Sequence, residues 1–248
     1  METSWSDDRS MQYHLDQVTN QKRSTQCFYE FCAEFLNQSQ FVIDIGCGTG
    51  AATHFITKSS SSTKVLGIDS DSILIENAKS MAEQIPLPNL DFEVADLYKI
   101  DDFDFTCDGV VSLQTLSWLE GIDEPMISIF TKLQPRWIAL SSLFYEGDIT
   151  ATIVIDEHKR NRQSYYNVYS IPKLARLSKE FGYVVAKVKK FNIDVDLPKP
   201  LDVDFMSTYT EKLVSAEKDA RIQISGPLLM NWYFVMIQIG EELSSQDI

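Results

Sequence analysis

The chain has 248 residues, 22 Lys+Arg against 36 Asp+Glu, and a formal net charge of −14. That length can bury a sizeable core without staples, and 44% apolar with 23% charged residues are globular proportions. The negative balance argues against nucleic acids and anionic membrane surfaces as partners, because both are bound largely through Lys and Arg.

The opening residues, Met1 to Asp8, are polar and acidic and lack the basic and apolar regions of a signal peptide. The most apolar stretch, Pro227 to Gly240, is broken by Asn231 and Gln238 and falls short of a membrane span. Cys27, Cys32, Cys47 and Cys107 form no CxxC pair, and the histidines are only His14, His54 and His158. These features predict a cytoplasmic protein with free thiols and no metal.

In chain order, Phe28, Phe31, Cys32, Phe35 and Leu36 share one helical face, with Ser24 or Thr25 as N-cap. Phe41-Val42-Ile43-Asp44-Ile45 reads as a buried strand, Ala51 to Lys58 as a helix and Lys64 to Asp69 as a second strand. A helix through Leu74, Ala78 and Met81 is stopped by Pro86 and Pro88. Strands follow at Leu90–Ala95, Gly109–Leu113 and Trp137–Ser142, with a helix over Met126–Leu133. Ser170-Ile171-Pro172 caps a further helix that ends at Gly182, and Tyr183–Phe191 is a strand. Ser207–Val214 and Ala220–Ser225 read as a hairpin before a last strand, Trp232–Ile239. Such alternation implies an α/β fold: a mostly parallel sheet with helices on both faces. The domain expectation is an N-terminal helical cap (1–40) on one compact domain (41–248), with a C-terminal β-hairpin insertion.

Asp44-Ile45-Gly46-Cys47-Gly48-Thr49-Gly50 lies where the first strand turns into a helix. Glycines there permit a tight turn and let a ligand lie on bare backbone at a helix N-terminus. Asp69 and Asp96 end the next two strands, at the sheet edge where ligands bind. Asp69 suits the hydroxyls of a ribose. The spacing G-x-G-x-G departs from the dinucleotide fingerprint, and Asp44 would repel a pyrophosphate while suiting a cationic amine. A nicotinamide dehydrogenase is therefore the weaker reading.

These segments resemble the class I S-adenosylmethionine (SAM)-dependent methyltransferases. Val42 to Gly50 is similar to their first motif, Gly67-Ile68-Asp69-Ser70-Asp71 to the second and Val94-Ala95-Asp96-Leu97 to the third. The resemblance implies a Rossmann-like sheet of seven strands with the last antiparallel, and SAM as cofactor. By position it implies cofactor-binding roles for Asp44, Gly46, Gly48, Gly50, Asp69, Ser70, Asp96, Leu97 and Ser112. Asp44 would face the amino group, Asp69 the ribose, Asp96 the adenine amino group, with Leu97 on the ring and Ser112 under the sulfonium.

Ser112-Leu113-Gln114-Thr115 lacks the [DNS]-P-P-[YF] signature of the base-methylating enzymes that this family resembles, which with the charge points to a small-molecule acceptor. Gln114 and Trp118 stand where a His pair is common in small-molecule members; a helix start with a buried Trp is the structural alternative. Tyr165, Tyr166, Asn167 and Tyr169 could wall a pocket for an amine or amino-acid-like acceptor by cation–π attraction, or be loop packing. Tyr13 could close over SAM from the N-terminal segment. Substrate-binding candidates are thus Tyr13, Gln114, Trp118, Tyr165, Tyr166 and Tyr169, and catalytic candidates Gln114, Tyr166 and Asn167. The expected reaction is methyl transfer to a small molecule by a monomer or homodimer. Alternatives are displacement at another sulfonium carbon, cyclising SAM and releasing methylthioadenosine, or a non-catalytic SAM-binding partner protein.

Overall fold

The computed structural model describes residues 17, 20–102, 106–201, 206–213 and 220–240. Helix α1 (Arg23–Gln38) leads into β1 (Phe41–Ile45), α2 (Ala51–Ser59), β2 (Lys64–Asp69), α3 (Ser72–Gln84) and β3 (Leu90–Val94). After β4 (Gly109–Leu113) come a 3-10 turn at Leu116–Trp118 and α4 (Asp123–Ser128), then β5 (Trp137–Tyr145). A small hairpin, β6 (Val154–Glu157) and β7 (Arg162–Tyr165), precedes β8 (Tyr169–Ser170), α5 (Ile171–Glu180) and β9 (Tyr183–Lys190). The chain closes with β10 (Thr208–Lys212), β11 (Arg221–Ser225), β12 (Leu228–Leu229) and β13 (Trp232–Ile239).

The main sheet runs in the order β3-β2-β1-β4-β5-β13-β9, with the two-residue β8 beside β5. The five strands from β3 to β5 pair in parallel, and β13 is antiparallel to both neighbours. This is the mostly parallel, helix-flanked α/β sheet that the alternation implies. The β10–β11 hairpin pairs antiparallel between β9 and β13, as expected, though Val214 lies outside the described residues.

Strand alternation divides the core between the two faces. Ile43, Ile45, Val110 and Ile138 point to the face covered by α4 and α5, where the Phe130 and Tyr183 rings lie 4.7 Å apart. Val42, Val111 and Ala139 point to the face covered by α1, whose Phe28 and Phe31 meet Phe234 of β13 at 5.5 and 5.6 Å. Among the described residues no helix is long and apolar enough to cross a membrane.

Several boundaries differ from the sequence expectation, most by one residue and three by more. Helix α1 starts earlier, at Arg23 with Lys22 at its cap and no side-chain cap bond, so neither Ser24 nor Thr25 caps it. The α4 segment begins at Asp123, whose charge and that of Glu124 suit a helix N-terminus, and widens into a π-helical turn at Ile129–Leu133. Strand β5 runs three residues past Ser142, because that buried hydroxyl is satisfied by Ser117, Oγ to Oγ 2.6 Å, and need not break the strand. By contrast Ser170 caps α5 as expected, its Oγ accepting from the Lys173 N–H at 3.1 Å.

Candidate active site

The carboxyl edge of the parallel strands opens into a cleft of about 380 Å³. Its floor is the β1–α2 loop. The N–H groups of Gly46 and Cys47 both donate to the Ile68 carbonyl (2.8 and 3.0 Å), tying the loop to β2. From β4, Ser112 Oγ donates to the Ile45 carbonyl at 3.0 Å and Thr115 Oγ1 to that of Gly46 at 3.1 Å.

Two of the loop glycines differ in what constrains them. Both Gly46 (φ +70) and Gly48 (φ +56) are left-handed. A Cβ on Gly46 would meet Thr115 at 2.2 Å, whereas one on Gly48 would meet nothing within 4 Å. Gly46 is fixed by packing; Gly48 bares its backbone to the cleft.

Two carboxylates face this backbone. Asp44 is buried, and its Oδ2 accepts from Thr53 Oγ1 at 2.7 Å. Burial pushes its carboxyl up to about 7, against the Thr53 bond and with help from the Asp69 charge. Asp69 accepts from the Gly48 N–H at 2.9 Å and the Asp71 N–H at 3.0 Å. Burial raises its pKa, while those backbone bonds hold it down. A negative, dehydrated patch beside bare backbone suits a small cationic ligand and disfavours a phosphate.

The opposite wall is aromatic and neutral. Trp118 and Tyr166 lie with ring centroids 4.6 Å apart, and both line the cleft. Gln114 joins them from the end of β4 in a left-handed conformation (φ 61), with its N–H on the Ser141 carbonyl at 2.7 Å. Left-handed backbone at a residue other than glycine is a strain that functional sites concentrate. Among the described lining residues the only carboxylates are Asp44 and Asp69, so the acidic character lies on the loop side alone.

The cleft therefore gathers Asp44, Gly46, Gly48, Asp69, Ser70, Gln114, Trp118 and Tyr166. Other expected site residues stand outside its lining. Gly50 starts α2 behind the loop, and Ser112 is buried with its hydroxyl committed to Ile45. Leu97 packs in the core, and Asp96 bonds the Tyr98 N–H and pairs with Lys99 at the end of β3. Asn167 has a structural role: it accepts from the Ile153 N–H at 2.9 Å and donates to the carbonyls of Leu119 and Glu120 and to Tyr169 Oη. Its side chain is buried and stands apart from the residues that line the cleft. Tyr169 donates to the Leu119 carbonyl from within the core, and Tyr165 belongs to the β6–β7 ladder. Tyr13 lies outside the described residues. The sequence reading also missed Thr53, Thr115, Met206, Met230 and Trp232; an acceptor for Thr53 and long-range neighbours for the rest carry no local signature.

These two glycines separate packing from ligand approach in a measurable way. Gly46→Ala should lower unfolding stability in urea by about 3 kcal/mol or more, as clash adds to left-handed strain. Gly48→Ala should cost only about 1–2 kcal/mol, the strain alone. Equal losses would contradict the assignment.

A family described as "Methyltransferase domain" matches residues 42–135, from β1 through the turn after α4. A protein of Invertebrate iridescent virus 6 named as a methyltransferase, 235L, is 36% identical over 107 residues, 41% of this chain and 38% of that protein. The (S)-tetrahydroprotoberberine N-methyltransferase of Eschscholzia californica is 25% identical over 139 residues, 56% of this chain and 38% of that enzyme. The chain thus spans well under two thirds of the length of these relatives. Among solved structures, the Burkholderia thailandensis 1,6-didemethyltoxoflavin-N1-methyltransferase, with its namesake ligand and S-adenosylhomocysteine bound, superposes at a TM-score of 0.59 and 14% identity, covering 95% of this chain and 87% of that one. That likeness concerns the fold. The glycine loop, with Asp69 behind it, lies within the stretch, residues 42–135, that is similar to the methyltransferase domain family.

Proposed function

We propose that the chain transfers the methyl group of SAM to a small-molecule acceptor held against Trp118 and Tyr166. The observation that carries this reading is the pairing, in one cleft, of bare Gly48 backbone, buried Asp44 and half-buried Asp69 with an aromatic wall across from them. Bound SAM supplies an electrophilic methyl on a sulfonium. Asp44 receives its ammonium group, and Asp69, whose oxygens each keep a lone pair beyond their backbone bond, receives the ribose hydroxyls. Asp96, at the end of β3 on the same edge, takes the adenine amino group.

The remaining work is alignment, since methyl displacement needs nucleophile, carbon and sulfur in line. The strained Gln114 and the Trp118–Tyr166 pair sit between the loop and the outer cleft, and so serve to hold the acceptor. No carboxylate among the described residues lines that side, so an amine acceptor reacts as its neutral base, with the aromatic faces steadying the cation formed. The tetrahydroprotoberberine and didemethyltoxoflavin enzymes named above act on small molecules by their names, which supports the same class.

The reading is tested by mass spectrometry of the protein incubated with SAM and a panel of amines and nitrogen heterocycles. Acceptor-dependent S-adenosylhomocysteine is expected. Methylthioadenosine formed without any acceptor would overturn the reading in favour of SAM cyclisation.

Asp44 sets the pH dependence. Its folded pKa is raised to about 7 from the ordinary carboxylate value of 3.8, so ionisation weakens the folded state as pH climbs between those values. A cationic ligand reverses that preference, drawing the proton off. SAM affinity by calorimetry should therefore rise by up to about tenfold per unit as pH increases from 5.5 toward 7, then level. In Asp44→Asn the slope should vanish and affinity fall; an unchanged slope would contradict the role.

A further inference from the structure

The outer half of the cleft contains a donor that no described residue satisfies. Trp232, the first residue of β13, stands at the carboxyl edge opposite Leu143 of β5 and lines the cleft. Its side chain is 4% exposed, and its indole Nε1 is buried with no hydrogen-bond partner. The other buried indole on this face of the sheet is provided for: Trp137 Nε1 donates to Ser39 Oγ at 3.0 Å. Leaving a buried donor unmatched is costly, and folded proteins keep few such groups.

Its surroundings specify what could match it. Trp118 and Tyr166 offer ring faces, and Met206 and Met230 add pliant thioether chains from the hairpin side. Thr208 and Ser225 of that hairpin bring hydroxyls to the same lining. The charged lining residues among those described are Lys22, Asp44 and Asp69, which belong to the start of α1 and to the loop side. Met230, two residues before Trp232, is unbranched and can move aside to admit a ligand atom to the sealed indole.

We propose that this half binds a planar, uncharged small molecule bearing a hydrogen-bond acceptor, a ring nitrogen or a carbonyl oxygen, that takes the N–H of Trp232. The proposal rests on the reading of the cleft as a small-molecule methyl-transfer site, and deepens it by naming the acceptor class. Aromatic and thioether walls recognise the flat body, and the single indole donor fixes its orientation. A molecule of the same shape without an acceptor atom leaves the donor unmatched and is discriminated against.

The test is a ¹H–¹⁵N spectrum of the whole protein, with the indole resonance of Trp232 assigned by its loss in Trp232→Phe. The probes are 4-quinolone, which carries a carbonyl acceptor, and naphthalene, which does not. The Trp232 indole proton should move downfield with 4-quinolone and not with naphthalene, and Trp232→Phe should weaken 4-quinolone about three- to tenfold while leaving naphthalene unchanged. If that variant does not fold, the resonance is assigned by backbone connectivity in the unaltered protein, where the same shift is read. An indole proton unmoved by 4-quinolone up to its solubility limit, or moved equally by both probes, overturns the proposal. Neither titration uses SAM, so S-adenosylhomocysteine calorimetry on the same sample reports separately on the methyl-transfer reading.

Discussion

Two carboxylates on adjacent strand ends, buried Asp44 and half-buried Asp69, are the constraint around which the site is arranged. Burial raises the pKa of each, and each is held by a hydroxyl or a backbone N–H. Keeping such groups close together costs folding free energy that packing elsewhere must offset. The Phe28, Phe31, Phe191 and Phe234 cluster beneath α1 and the clamps from Ser112 and Thr115 provide the rigid base. A cation arriving in the cleft recovers that cost, which links the electrostatics of the loop to recognition of a sulfonium ligand bearing an ammonium group.

Much of this was legible along the chain because the determinants are local. Strand β4 and strand β13 follow the sequence expectation residue for residue, and the glycine loop falls between β1 and α2 where glycines and Asp44 place it. Asp69, Gly48 and Gln114 come to one cleft because parallel strands end on one edge. What local pattern could not show is which polar side chains are consumed by the fold itself. Asn167 reads as a pocket amide, yet its four bonds hold the segment after β7 to the turn after Trp118. Ser112 likewise sits at the right strand end but spends its hydroxyl on Ile45.

The acceptor side was the least legible because it is assembled from distant pieces. Trp118 follows β4, Tyr166 follows β7, Met206 precedes β10, and Trp232 opens β13. No spacing rule links them; only the insertion of the hairpin between β9 and β13 brings them to one wall. On the proposed function, cofactor recognition and acceptor recognition are written differently: the first in a contiguous loop with strand-end carboxylates, the second in the insertions that fold over it. The aromatic, neutral character of that wall also shifts the expected chemistry from an acidic pocket holding a charged amine to a dry one that receives an uncharged molecule.

The central claim is that Asp69 and the Gly48 backbone form a seat for the nucleoside half of SAM. Its most direct test is calorimetric titration of S-adenosylhomocysteine into the protein and into Asp69→Ala, with thermal melts of both. The account predicts one-to-one binding that Asp69→Ala weakens at least about tenfold, while the melting temperatures stay within a few degrees. No binding to the unaltered protein, or equal affinity in Asp69→Ala, would contradict it.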